Sequence, residues 1–428
     1  MSTPHASSTA DAAVQGLLKP YVPRLMMEWL RDVPDVLFRQ IAGTIAFIDI
    51  SGFTKMTERL ARKGKVGLEE LNDILDATFS ELLTIAYEDG AGLIKWGGDA
   101  VLLLFDGDDH ASRAARAAAR MRRTLQRVGK TTSTAGKINL RMSAGIHSGL
   151  FDFFLGGDLH HELMICGPAA SRTVEMEGAA EAGDVLLSPE AARLVDPACL
   201  GSPKGGGMLL RRIPEVPFHR AQPAPDVDAD VLASCIPLRI RQHLVSGNEE
   251  ADHRSVAVAF VEVRGTDEVL ANDGADALAT ALNDTIRKIQ HACADVGVTF
   301  LETDISFDGF KVLLVAGTPS SLGDEAAAML AATRKIQDGA GRLPLRIGVN
   351  VEPAFDFAAP VAEGVADPDG SRSLASAVPG VEGVLRLAQP GGDLIDGQQR
   401  VGPPLGGGRR SHRRPAASDG PGSGGDVS

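Results

Sequence analysis

The chain has 428 residues, of which 44% are hydrophobic and only 4% aromatic. That is material for two or three domains whose cores are built mainly from Leu, Val, Ile and Ala. Its 56 Asp and Glu outnumber 43 Lys and Arg for a formal net charge of −13. A surface this acidic gains nothing by releasing counterions from duplex DNA, which argues against nucleic acid as a partner. No apolar run approaches the roughly 20 residues of a membrane helix. The opening MSTPHASSTADAAVQGLLKP lacks the charged start and apolar middle of a signal peptide. Cys166, Cys199, Cys235 and Cys293 show neither CxxC nor zinc-ligand spacing, which fits free thiols in a reducing compartment. A cytoplasmic location, away from membranes, is expected.

In chain order, Tyr21–Leu30 reads as a short amphipathic helix packed on the domain that follows. Thr44–Ile50 is an apolar strand, and Leu68, Leu71, Leu75, Phe79, Leu82 and Leu83 mark a helix by their three- and four-residue spacing. Leu93–Trp96 and Asp99–Phe105 flank Gly97-Gly98 and read as a tight hairpin, because both glycines accept positive φ. Ala111–Leu125 is a second helix and Leu140–Ile146 a fourth strand. The order then recurs: strand Ser255–Val263, a helix through Leu278, Leu282, Ile286 and Ile289, a hairpin turning at Ser306–Gly309, helix Glu325–Ile336 and strand Leu345–Val351. Leu-Arg opens the fourth strand in both copies, at Leu140-Arg141 and Leu345-Arg346. Strand-helix-strand-strand-helix-strand is the ferredoxin-like split βαβ order. Its strands are apolar on both faces, so helices or a partner domain should cover each face. Lys204–Asp230, rich in Gly, Pro and Asp, reads as a linker. Pro403–Ser428 reads as a disordered tail.

Asp49 interrupts an apolar strand, which costs free energy unless the charge is paired or bound to a metal. Asp99 follows the Gly-Gly pair, and in a split βαβ sheet its strand adjoins the first strand. The two carboxylates can thus converge across 50 positions of sequence. Ser51-Gly52-Phe53-Thr54 leads into the next helix, whose first N–H groups suit a phosphate. Paired Asp beside such a turn suggests two-metal phosphoryl transfer. Singly, each has a structural alternative: Asp49 as half of an ion pair, Asp99 as a turn residue.

Phe47-Ile48-Asp49-Ile50-Ser51-Gly52-Phe53-Thr54, Lys95-Trp96-Gly97-Gly98-Asp99-Ala100, Cys166-Gly167-Pro168-Ala169-Ala170 and Gly183-Asp184-Val185-Leu186-Leu187-Ser188-Pro189 together resemble the class III nucleotidyl cyclase family, most of all its bacterial tandem members similar to soluble, bicarbonate-responsive adenylyl cyclase. The resemblance runs from about Leu17 through Val195 and again from Ser255 to Val351. It implies an α+β fold of two ferredoxin-like catalytic domains in tandem, the second degenerate, pairing within the chain. The division is residues 1–40 as a helical extension, 41–200 as the metal-binding half, 201–252 as linker, 253–400 as the degenerate half and 401–428 as tail.

The resemblance further implies conversion of ATP to cyclic AMP and pyrophosphate with two Mg²⁺ or Mn²⁺ ions. Asp49, Asp99 and the Ile50 carbonyl match the metal ligands, Gly52, Phe53 and Thr54 the phosphate-cradling turn, and Arg141 a triphosphate contact or a solvated strand-end charge. Lys95 matches a position that in relatives lines a pocket for bicarbonate; it is a regulatory-anion candidate or a charge partner for Asp99. In the second copy Glu262 stands where a metal Asp belongs and Glu302 near the purine-reading Lys. Ser171 and Glu175 replace the Asn and Arg that hold ribose and transferring phosphate, so the first copy cannot supply that pair. Val381–Ala388 matches it weakly, with Arg386 as the transition-state Arg and Glu382 in place of Asn. Glu352–Pro379 lacks clear periodicity, and no GxxxxGK[ST] motif is present. A weak or inactive relative that binds nucleotide or bicarbonate and regulates a partner is the alternative reading.

Overall fold

A computed structural model describes residues 9–355, apart from positions 53–55, 58, 61, 98–99, 135, 220–221, 247–252 and 340. Asp99, Phe53, Thr54, Arg386 and the tail therefore lie outside the described residues. The described residues all belong to one compact unit, which contains two sheets.

Eight strands form the first sheet. β1 (Phe38–Ser51) lies between β3 (Ala100–Asp106) and β6 (Arg141–Gly156), and β2 (Gly92–Gly97) borders β3. Between β3 and β6, β4 (Lys130–Ser133) and β5 (Gly136–Asn139) form a separate hairpin. β7 (Glu162–Cys166) pairs with the far end of β6, and β8 (Val185–Leu187), β10 (Gly207–Leu210) and β9 (Leu200–Lys204) extend the sheet. The second sheet runs β12 (Thr299–Ser306), β13 (Gly309–Ala316), β11 (His253–Arg264), β14 (Leu345–Phe355). The core of each sheet thus has the same spatial order, second-third-first-fourth strand.

Alternation along the strands explains why both faces are apolar. Ala46, Ile48 and Ile50 of β1 face helices Lys65–Glu88 and His110–Val128, among Leu71, Leu75, Phe79 and Ala114. Ala257, Ala259, Val261 and Val263 of β11 likewise meet Leu278, Leu282, Ile286 and Met329 of helices Ala275–Ala294 and Glu325–Asp338. The opposite faces meet in a shared core. Ile45, Leu102, Leu104 and Phe153 of the first copy cluster with Val256, Val258, Leu301 and Val315 of the second.

Two parts of the chain depart from the sequence reading. Helix Arg24–Asp32 does not cover the first copy alone: its Trp29, Met26 and Leu30 belong to the shared core. The stretch expected as linker is partly ordered. Gly205 and Gly206, at φ +50° and +77°, join β9 to β10, and Leu232, Ile236 and Ile240 from the following helices enter the shared core. Composition misses both, because two glycines serve a tight hairpin as well as a flexible tether. The four cysteines are buried and unbridged. Among the described residues no helix is long and apolar enough to cross a membrane.

Trp29 is fully buried, and its Nε1 donates to the Val36 carbonyl at 2.7 Å. Trp29→Ala should therefore lower stability by about 3–5 kcal/mol, read from the midpoint and slope of urea denaturation.

Candidate functional site at the rim of the first sheet

The C-terminal end of β1 carries the candidate residues. Asp49 sits opposite Ala100 of β3 on one side and Ser143 of β6 on the other. The residue that follows Asp99 is thus the register partner of Asp49, and only positions 98 and 99 lie between the paired Gly97 and Ala100. Asp49 is half-buried and has an interaction partner of its own. The Ile50 side chain is fully buried, which leaves its main-chain atoms as its contribution to the rim.

Gly52 closes the strand with φ +93°, and a Cβ there would lie 2.9 Å from the Asn139 carbonyl. Both the dihedral and the close approach call for glycine. Arg141 is exposed opposite Ser51, whose hydroxyl donates to the Arg141 carbonyl at 3.3 Å. Its guanidinium lies over Gly183, 3.1 Å from where a Cβ would stand, and it forms no ion pair among the described residues.

Lys95 faces the seam between the copies. Its ammonium donates to Glu162 Oε1 at 2.5 Å and to Thr303 Oγ1 of the second copy at 2.9 Å, and the Thr303 N–H reaches the same carboxylate oxygen at 3.0 Å. Burial alone would push the Glu162 carboxyl up, but the Lys95 ammonium and His160 override it and hold it at about 2. Register places Glu302 where the first copy has Lys95: each follows a bulge, opposite Leu313 and Leu102 respectively. Glu302 is 7% exposed. Burial pushes its carboxyl well up, and Asp304 and Glu162 add to the rise against Lys95. Asp304 approaches Gly97, its carboxylate about 3.8 Å from where a Cβ would stand. Absence of a side chain at Gly97 admits this acid beside the end of β2.

The second copy lacks a matching acidic pair. Glu262 takes the place of Asp49, opposite Lys311 and Arg346, and pairs with Arg264 at 2.8 Å. Phe310, 1% exposed, precedes Lys311 as Asp99 precedes Ala100. The expected Leu-Arg correspondence slips: Arg346 lies opposite Glu262 as Ser143 lies opposite Asp49, so Arg141 and Arg346 are two positions out of step. Ser171 and Glu175 lie on helix Pro168–Ala179; Glu175 pairs with Arg172, and Ser171 bonds to Asp267 and Asp308 of the second copy. Sequence reasoning passed over those two acids, although the Ser-Phe-Asp-Gly turn was legible.

Among the described residues no three His, Cys, Asp or Glu side chains gather as metal ligands. The candidate set of Asp49, the Ile50 carbonyl and Asp99 is all oxygen, the donor type that suits Mg²⁺ or Mn²⁺.

Residues 39–204 match the family profile described as adenylate and guanylate cyclase catalytic domain. This part of the chain is similar to class III cyclase catalytic domains. The chain is 26% identical over 158 residues to human adenylate cyclase type 10, and 25% identical to the rabbit protein over the same length. Each alignment covers 36% of this chain and 10% of the relative, so the chain spans a small fraction of those proteins. A solved class III adenylyl cyclase-like ATP-binding protein from Pseudomonas aeruginosa shares the fold over 82% of this chain and 85% of its own, at 13% identity and a TM-score of 0.50. That likeness extends past the cyclase match into the second sheet.

Lys95→Met should cost about 3–5 kcal/mol at pH 7, because it strands the buried Glu162 charge. The depressed Glu162 pKa contributes stability above its unfolded value, lost as pH falls from about 4.5 towards 2. The gap between variant and wild type in urea titrations should narrow over that window. For Glu302 the sign reverses: a raised folded pKa costs stability as pH rises above the unfolded value. Glu302→Gln should match wild type near pH 4 and exceed it at pH 8, as read by thermal denaturation.

Proposed function

We propose that the chain is a nucleotidyl cyclase that converts ATP to 3′,5′-cyclic AMP and pyrophosphate at the rim beside Asp49. The observation that carries this reading is the register of β1 against β3, in which Asp49 faces the residue after Asp99 three positions before the Gly52 turn. In this reading the residues form two ferredoxin-like cyclase domains, 41–200 and 253–400, preceded by the extension 1–40, joined by 201–252 and followed by 401–428. The second is degenerate, and the protein works in the cytoplasm.

Asp49, Asp99 and the Ile50 carbonyl would hold two Mg²⁺ or Mn²⁺ ions, which supply charge neutralisation for the triphosphate and acidify the ribose 3′-hydroxyl. Gly52, Phe53 and Thr54 would cradle phosphate oxygens through main-chain N–H groups. Arg141, free of ion pairs among the described residues, balances triphosphate charge. The 3′-oxygen attacks the α-phosphorus, the bond from that phosphorus to the bridging oxygen breaks, and pyrophosphate leaves. Arg386 would steady charge on the transferring phosphate from the second copy. ATP as substrate rests on likeness to adenylate cyclase type 10.

A second reading is a nucleotide-binding protein without turnover. The substitution of Glu302 at the place of Lys95 favours it, since an acid replaces the base-reading cation of the family. An anion such as bicarbonate at Lys95 is less favoured, because Glu162 already neutralises that ammonium at 2.5 Å.

Purified full-length chain with ATP and Mn²⁺ should release cyclic AMP and pyrophosphate in equal amounts. Asp49→Ala should lower the rate at least about 100-fold and Arg386→Ala by about 10²–10³-fold. Metal-dependent nucleotide binding without product would select the second reading, and no metal-dependent binding would sink both.

A further inference from the structure

The second copy repeats the phosphate-cradling turn and then fills it with its own side chain. Gly52 follows Asp49 by three positions at φ +93°; Gly265 follows Glu262 by three at φ +82°. Helix Thr266–Asp273 begins directly after Gly265, so its first N–H groups are donors without helical partners. In the second copy those donors are taken. Gly265 N–H donates to Asp308 Oδ2 at 3.0 Å and Asp267 N–H to Asp308 Oδ1 at 3.1 Å, one carboxylate spanning the turn as a phosphate would.

Asp308 reaches that position because its hairpin is longer. Gly97, the last paired residue before the first turn, stands two positions past Lys95, whereas Ser306, the last paired residue before the second, stands four past Glu302. The tip, with Asp308 at φ +55°, therefore overhangs the helix start. The first copy closes the lid: Asp308 N–H donates to Ser171 Oγ at 2.9 Å, and that hydroxyl donates to Asp267 Oδ2 at 2.8 Å. Behind them, the Glu262–Arg264 pair and the Phe310 ring occupy the places of the first copy's two acids.

We propose that the second cleft is closed to nucleotide from within, the Asp308 carboxylate standing in for a phosphate under the Ser171 clasp, so that the chain holds one nucleotide, at the first cleft. The location of that one nucleotide rests on the proposed function; the closure does not.

Equilibrium dialysis of the full-length chain with a non-hydrolysable ATP analogue and Mn²⁺, and separately with inorganic pyrophosphate alone, tests it. Wild type should bind one analogue per chain. Asp308→Gly, which suits a positive φ, should gain a weak, salt-sensitive pyrophosphate site, whereas Asp308→Asn should not. Two analogues on the wild-type chain overturn the proposal, independently of how any variant folds. So does a folded Asp308→Gly chain, checked by circular dichroism, that takes up no more pyrophosphate than wild type. If wild type binds no analogue while Asp308→Gly gains pyrophosphate, the closure stands and the cyclase reading fails.

Discussion

The molecule depends on strands that are apolar on both faces. β1 and β11 each give one face to their own helices and the other to a core shared by the two copies. Separating the copies would bare Ile45, Leu102, Leu104, Val256, Val258 and Val315 together, a cost that scales with apolar area at roughly 25 cal/mol per Å². The N-terminal helix and the segment between the copies add Trp29, Leu232 and Ile236 to that core. Contact between the two sheets is therefore part of how each is buried.

On that seam the electrostatics are asymmetric. Two positions related by register carry Lys95 in one copy and Glu302 in the other. The lysine is matched by Glu162 and held across the seam by Thr303; the Glu302 carboxyl has no hydrogen-bond partner among the described residues and lies near Asp304 and Glu162 as well as Lys95. A buried acid among acids favours its neutral form. The same divergence continues at the rims. The first keeps Asp49 beside a glycine turn, while the second exchanges its acids for the Glu262–Arg264 pair, Phe310 and the inward carboxylate of Asp308. The two sheets thus share a strand order but differ at their rims, and the second satisfies its own turn donors.

Much of this was legible in one dimension. Spacing of Leu71, Leu75 and Phe79 marks a helix, TIAFIDI and SVAVAFVEV mark strands, and the repeated order marks a duplication, because side-chain period follows secondary structure directly. Asp49 stood out because a charge in an apolar strand needs a reason, and Gly52 because its stretch leads into the next helix and resembles a phosphate-cradling turn. The hairpin at Gly205-Gly206 and the helices after Asp228 were not legible: their short apolar stretches carry too little periodicity to outweigh a Gly- and Pro-rich composition.

The amino-acid sequence by itself determined the recurring strand and helix order, the candidate acids and the different residues at the corresponding later positions, since these depend on residue type and local spacing. Only the tertiary structure decided that Ala100, next to Asp99, lies opposite Asp49, that Lys95 is held by Glu162 and Thr303, and that Asp308 fills the second turn. Those are contacts between residues 41 to 208 positions apart, and pairing register, hairpin length and burial, none of them local properties, bring such residues together.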